Sequence, residues 1–174
     1  VLDVGCGAGS HALYLQNERG LEVTAIDLSV KAIEVCQLRG IRSARVQNVL
    51  DTSEKYDTLL LLMNGPGMCG RLKKMPAFFA HLKTLLNEGG QILTDSSDII
   101  YMFDQNSDGS YDVPLYGDYY GELEYTVKYK GKREKPFNWL YVDYNTLQNV
   151  AHAVGLQCEL VAQGEHYDYL ARLF

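Results

Sequence analysis

The chain begins Val1-Leu2-Asp3-Val4-Gly5-Cys6-Gly7-Ala8-Gly9-Ser10, and this run constrains the fold more than any other. Val1 to Val4 reads as a buried strand, and three glycines at alternate positions then supply a tight turn. Ser10 is placed to cap a following helix that carries Leu13 and Leu15 and stops at Gly20. A strand, a glycine turn and a helix in that order make a cradle for a nucleotide, with main-chain N–H groups and a helix N-terminus facing the ligand.

The first hundred residues keep the same rhythm of short apolar strands and amphipathic helices, the pattern of a parallel α/β sheet. Glu22 to Asp27 reads as a second strand, and Ser29 caps a helix ending near Gly40. Ala44 to Gln47 reads as a third strand. Tyr56 to Met63 is too apolar to have a wet face, which predicts a central strand. A helix starting near Pro76 buries Phe78, Phe79, Leu82, Leu85 and Leu86, ends at Gly89-Gly90, and leads into a strand from Gln91 to Ser96. From Ile99 the period changes. Leu123, Tyr125, Val127 and Tyr129 alternate with polar residues, as do Phe137, Trp139 and Tyr141, around a charged turn at Lys130 to Lys135. This predicts an inserted antiparallel β-hairpin. A helix from about Tyr144 to Val154 and two strands around Gly164-Glu165-His166 close the chain.

With 174 residues and no linker or repeat, the chain reads as one domain. Residues 1–98 form a nucleotide-binding half, 99–143 a tyrosine-rich hairpin or cover, and 144–174 the closing helix and strands. Because the first residue, Val1, already lies in a core strand, a preceding N-terminal segment is expected. The formal net charge of −6 disfavours nucleic acid, whose binding rests on Lys and Arg neutralising phosphates. No apolar run suits a membrane span, so no membrane partner is expected. The four scattered cysteines, Cys6, Cys36, Cys69 and Cys158, form no C-x-x-C pair, so no metal site is expected and a reducing cytoplasm is.

Dinucleotide-binding folds use nearly the same glycine device, but here Ser10 stands where a third glycine of G-x-G-x-x-G would be. Asp3 would repel a pyrophosphate and attract an ammonium group. Asp27, ending the second strand, can accept from two ribose hydroxyls. S-adenosylmethionine carries both an ammonium and a ribose. The motif Val1–Gly9 resembles the nucleotide-binding first motif of the class I methyltransferase family. Val23-Thr24-Ala25-Ile26-Asp27-Leu28-Ser29 is similar to its second motif, Tyr56 to Leu61 to its fourth strand, and Leu86 to Leu93 to its fifth. The resemblance covers residues 1–100 closely. It implies a Rossmann-like, seven-stranded, mostly parallel sheet with an antiparallel last strand, and S-adenosylmethionine as methyl donor. Carried over, Asp3, Gly5, Cys6 and Gly7 would line the methionine part, Asp27 and Leu28 the ribose side, and Asn48 and Val49 the adenine. Asn48 stands where the family carries an acid; its amide oxygen can still accept from the adenine amino group, and Asp51 is a substitute.

The acceptor side is read from the carboxyl ends of the strands. Asn64-Gly65-Pro66-Gly67 is similar to the Asn-Pro-Pro-aromatic motif of amino-group methyltransferases, departing from it at Gly65 and Gly67. Asn64 is thus a candidate polar contact near cofactor and acceptor, against a plain turn asparagine. His11 is a candidate facing the acceptor, against a solvated first-turn residue; Asp95 and Ser96 border the same place, and His166 reads as surface. Nine of the 13 tyrosines lie between Tyr101 and Tyr144, and from Glu88 to Glu124 there are nine Asp and Glu and no Lys or Arg. Such a cover suits a cationic or aromatic acceptor, against a hairpin packed on its neighbours or a homodimer contact. Asp104-x-Asn106-x-Asp108-Gly109 resembles half a calcium loop, but Leu115 stands where a closing Glu is needed, so a turn is expected. The acceptor is expected to be a small molecule in preference to nucleic acid, with a protein acceptor left open. The alternatives are a nicotinamide-dependent oxidoreductase and a cofactor-binding module without turnover.

Overall fold

The computed structural model describes residues 1–113 and 119–174. Five parallel strands lead: β1 (Leu2–Val4), β2 (Thr24–Asp27), β3 (Ser43–Val46), β4 (Tyr56–Leu61) and β5 (Leu86–Ser97). Helices α1 (Ser10–Asn17), α2 (Val30–Leu38) and α3 (Met75–Thr84) connect them. An inserted hairpin follows, β6 (Glu122–Tyr125), β7 (Lys128–Tyr129), β8 (Lys132–Arg133) and β9 (Phe137–Leu140). Helix α4 (Tyr144–Ala153) and strands β10 (Cys158–Gln163) and β11 (Asp168–Leu173) complete the chain. The seven-stranded sheet runs β10-β11-β5-β4-β1-β2-β3. β11 is antiparallel to both its neighbours, as the resemblance implied, and all other ladders are parallel. β4 is central, as its lack of a wet face predicts.

Alternation along the parallel strands splits the core in two. Ala25 and Val23 pack with Ala12, Ile33, Cys36 and Ile41 beneath α1 and α2. Leu2, Val4, Leu59 and Leu61 pack with Phe79, Leu82, Leu147 and Ala151 of α3 and α4. Chain order reverses between β1 and β4: β2 and β3 lie to one side and β5 to the other. The loops at that point diverge and leave a crevice outside the strands' carboxyl ends, where ligands of such sheets bind.

Three local expectations are corrected. Gly9, not Ser10, stands at the N-cap of α1, at φ 75° and without a side-chain cap; Ser10 is the first helical residue. Gly9 is required by packing too, since a Cβ there would lie 2.1 Å from Ile41 Cδ1 and 2.9 Å from Cys36 Sγ. Leu86 belongs to β5, not to the helix before it, so the strand is 12 residues long and runs through Gly89-Gly90. At Gly90 the main chain passes so close to the Asn87, Asp57 and Tyr56 carbonyls that a side chain would not fit. The hairpin turn is tighter than expected, with only Lys130 and Gly131 between β7 and β8, both at positive φ.

The hairpin is tied into the main core. β6 and β9 pair antiparallel with Leu123 opposite Trp139, and Leu140 and Val142 beyond it are fully buried. The Val142 N–H donates to Ser96 Oγ at 3.1 Å. Glu122, its side chain nearly buried, pairs with Arg71 at 2.7 Å and accepts from the Leu72 N–H at 2.7 Å. The Asp108-Gly109 segment is an Asp-Gly turn in which Asp108 accepts from the Ser110 N–H; Leu115 lies outside the described residues. Among the described residues no group of three His, Cys, Asp or Glu could hold a metal, and no helix is long and apolar enough to cross a membrane.

Candidate cofactor and acceptor site

A cleft of about 710 Å³ opens at the topological switch point. Its floor is Val4, Gly5 and Ile26. It is also lined by Asp27, Leu28 and Asn48 to Leu50, and by Gly67 to Cys69 with Ala77 and Phe78 of α3. Phe137, Asn138 and Trp139 of the hairpin and Lys73 and Lys74 close the rim. A largely apolar slot with a few fixed polar groups suits a flat base carrying a sugar.

Asp27 holds the glycine turn in shape. Its Oδ2 accepts from the Gly7 N–H at 2.9 Å and its Oδ1 from the Ser29 N–H at 2.7 Å. Each oxygen keeps a lone pair for a further donor. Asn48 Oδ1 accepts from the Leu50 N–H at 3.0 Å, capping the 3-10 turn Val49–Asp51. That oxygen likewise has one lone pair left. Val49 is buried, Leu28 and Leu50 are exposed at the slot's mouth, and Asp51 points to solvent. Cys6 sends its thiol behind the loop, 3.8 Å from Cys36 Sγ, and burial pushes it well above the usual thiol range. Any contact Cys6 makes in the cleft is through its main chain.

Asp3 is the anomaly. It is 2% exposed, at the carboxyl end of β1 just before the glycine turn. It accepts from the Ala12 N–H, yet its Oδ2 has no partner. Burial pushes its carboxyl above the usual range, an effect that His11 partly offsets and Asp27 reinforces. A buried, unpaired carboxylate oxygen is costly and rare, and calls for a missing donor.

The first 90 residues match the family model described as a methyltransferase domain. The structure superposes on a SAM-dependent methyltransferase from Bacteroides fragilis in complex with S-adenosyl-L-homocysteine, at 48% identity and TM-score 0.89. That match covers 99% of this chain and 70% of the other. The chain belongs to the class I S-adenosylmethionine-dependent methyltransferases. More distant structures share the fold, at TM-scores 0.69 and 0.63. They are the CcbJ methyltransferase from Streptomyces caelestis, 13% identical over 99% of this chain and 81% of that one, and magnesium protoporphyrin IX methyltransferase from Synechocystis with bound SAM, 14% identical over 99% and 67%. No curated protein matches. The residues of this methyltransferase fit the cofactor: Asp3 offers one unpaired carboxylate oxygen for an ammonium, Asp27 two free lone pairs for ribose hydroxyls, and Asn48 one for an adenine amino group.

Past the cleft, toward the ends of β4 and β5, Met63 and Asn64 both adopt left-handed backbone, at φ 66° and 63°. The Asp95 carboxylate collects both of their N–H groups. Burial pushes the Asp95 carboxyl up and these amides draw it back. The Asn64 carboxamide is engaged by protein: Ser96 Oγ donates to Oδ1 at 2.5 Å, and Nδ2 donates to the Leu140 carbonyl at 3.1 Å. His11 is exposed on the first turn of α1, close enough to influence both Asp3 and Asp95. His166 is exposed. Two cover tyrosines spend their hydroxyls on the scaffold, Tyr119 on Asp143 and Tyr120 on Asp98, as Tyr169 of β11 does on the Val142 carbonyl. Tyr101 and Tyr125 are exposed and Tyr141 is half-buried. The Tyr125 hydroxyl beside it and burial hold Tyr141 up at about 12, so it stays protonated at neutral pH.

Sequence reasoning did not find Met68, Lys73, Lys74, Phe78, Phe137 or Trp139 as cleft residues. Alternation puts Phe137, Trp139 and Tyr141 on one face of a strand, but periodicity does not say which surface that face meets.

Proposed function

We propose that this methyltransferase transfers the methyl group of S-adenosylmethionine to a small cationic or aromatic molecule seated outside the ends of β4 and β5, beneath the tyrosine-rich segment. The observation carrying the cofactor half is the buried, unpartnered Asp3 Oδ2 beside a glycine turn that Asp27 braces. When bound, the cofactor supplies a methyl group already activated by a positively charged sulfur. The protein's task is to align an acceptor with it and exclude water, worth roughly 7–11 kcal/mol. Asp3 holds the ammonium end, Asp27 and Leu28 the ribose, and Asn48 with Val49 the adenine. Gly5, Cys6 and Gly7 offer main-chain contacts.

On the acceptor side, Asn64 acts by position: its carboxamide ties the end of β4 to Ser96 and Leu140 and thereby sets the hairpin over the site. His11 and Asp95 are the groups that could take a proton from an acceptor that loses one as it attacks. The small cationic or aromatic acceptor is supported by the exposed Tyr101 and Tyr125, the half-buried Tyr141, and a stretch from Glu88 to Glu124 without one Lys or Arg.

Calorimetric titration with S-adenosylhomocysteine tests the cofactor half. Micromolar binding by the parent, lost in Asp27→Ala and absent with NAD, is the expected result. Heat from NAD in place of S-adenosylhomocysteine would return the chain to nicotinamide chemistry. For the acceptor half, turnover on amines or phenols and none on tRNA or DNA is expected, and the reverse pattern would refute it.

A further inference from the structure

The cofactor cleft has one wall that comes from neither the glycine turn nor the strand ends. β9 of the inserted hairpin brings Phe137, Asn138 and Trp139 to the same slot that Leu28 and Asn48 to Leu50 line. The Trp139 indole lies flat on Gly67, in the turn after β4. A Cβ at position 67 would fall 2.2 Å from Cε2 and 2.5 Å from Cζ2 and Nε1. Gly67 has no positive φ, so its missing side chain is a packing requirement set by the ring. Phe137 meets Trp139 edge to face, at 6.3 Å between centroids and 87°.

The strand pair that carries the ring is anchored next to it by contacts that involve no ligand. Glu122, on the strand paired with β9, is held by Arg71 and the Leu72 N–H. Leu140, next to Trp139, is held by the Asn64 carboxamide. An aromatic ring on an anchored strand, lining one slot with apolar side chains and the Asp27 carboxylate, is built to stack a planar base.

We propose that Trp139 is a cofactor-binding residue, its indole forming the wall against which the adenosine part of S-adenosylmethionine packs. The hairpin thus serves the donor as well as the acceptor. This rests on the cofactor reading above, and its failure is separable from the failure of that reading.

Trp139 is the chain's one tryptophan, so the protein's indole emission reports on this position alone. The test titrates the full chain with S-adenosylhomocysteine, following tryptophan emission and calorimetric heat in parallel. The expected result is an emission change that saturates at the calorimetric Kd. Trp139→Leu weakens binding about tenfold or more, and Trp139→Phe retains most of it. Should Trp139→Leu fail to fold, Gly67→Ala gives the second arm. Its added methyl displaces the ring, so emission is altered before any ligand is added and affinity drops comparably. Calorimetric binding with unchanged emission, or parental affinity in Trp139→Leu or Gly67→Ala, would overturn the proposal and leave the cofactor reading intact. No calorimetric binding by the parent would sink both.

Discussion

Replacing Asp3 by Asn should make the ligand-free protein more stable and a worse binder of its cofactor. In the free protein the carboxylate is almost wholly buried and one of its oxygens has no donor. Asn keeps an oxygen for the Ala12 N–H and removes the buried charge. An unsatisfied buried polar group costs roughly 1–3 kcal/mol and a charged one more. The exchange of a charged orphan for a neutral one is therefore worth about 1–2 kcal/mol, or about 2–8 °C in Tm for a domain of this size. Because the folded-state pKa of Asp3 lies above its ordinary value of 3.8, stability from this group is fully present below that value. It is lost as pH rises through the folded-state pKa. The advantage of Asp3→Asn should accordingly vanish in acid and be complete at neutral pH. With cofactor the order reverses: losing a charge-assisted bond to the ammonium costs about 1.5–3 kcal/mol, some 10- to 150-fold in Kd. Thermal melts at pH 7.5 and pH 4, with and without S-adenosylhomocysteine, read all of this. A ligand-free Asp3→Asn protein that melts below the parent at pH 7.5 would refute the reasoning, because the carboxylate would then be a structural anchor.

The glycine turn separates packing from binding. Gly9→Ala drives a methyl into Ile41 and Cys36 at a left-handed position, and should cost about 2–4 kcal/mol in chemical denaturation. Gly7→Ala meets open space, so it should cost only the left-handed penalty of about 1–2 kcal/mol while lowering affinity for S-adenosylhomocysteine. Glu122→Ala removes the tie to Arg71 and the Leu72 N–H. It should cost about 1–3 kcal/mol, with faster hydrogen exchange in β6 and β9 ahead of the rest of the sheet. Asn64→Ala places alanine at a left-handed position and unties Ser96 and Leu140. Methyl transfer should fall, and S-adenosylhomocysteine affinity with it as the untied Leu140 lets Trp139 shift on Gly67; parental affinity would show that the Asn64 tie does not hold the Trp139 wall.

What the sequence made legible follows from how local each signal is. The glycine turn, Asp3 before it and Asp27 ending β2 lie within 27 residues, and strand and helix periods tie them to one end of a parallel sheet. The inserted hairpin was also readable, from alternation and turn residues, and the antiparallel β11 followed from the family resemblance. The residues that were not readable depend on contacts across long separations. Trp139 meets Gly67 because Glu122 reaches Arg71 and Asn64 reaches Leu140, and no period encodes those pairings. The one trace was Gly67 itself, a glycine with no conformational need to be one. Asn64 shows the converse. Its place was legible from a motif, but its partners were not, since Ser96 and Leu140 are 32 and 76 residues away. Gly9 likewise has two reasons to be glycine, and only the turn was visible without the structure.

The most direct test is a crystal structure of this chain with S-adenosylhomocysteine. The expected density runs along the cleft between Leu28 and Trp139, with both ribose hydroxyls on Asp27 and the amino group within hydrogen-bond reach of Asp3 Oδ2. Ligand bound elsewhere, or bound in the cleft with Asp3 still unpaired and Asp27 untouched, would contradict it.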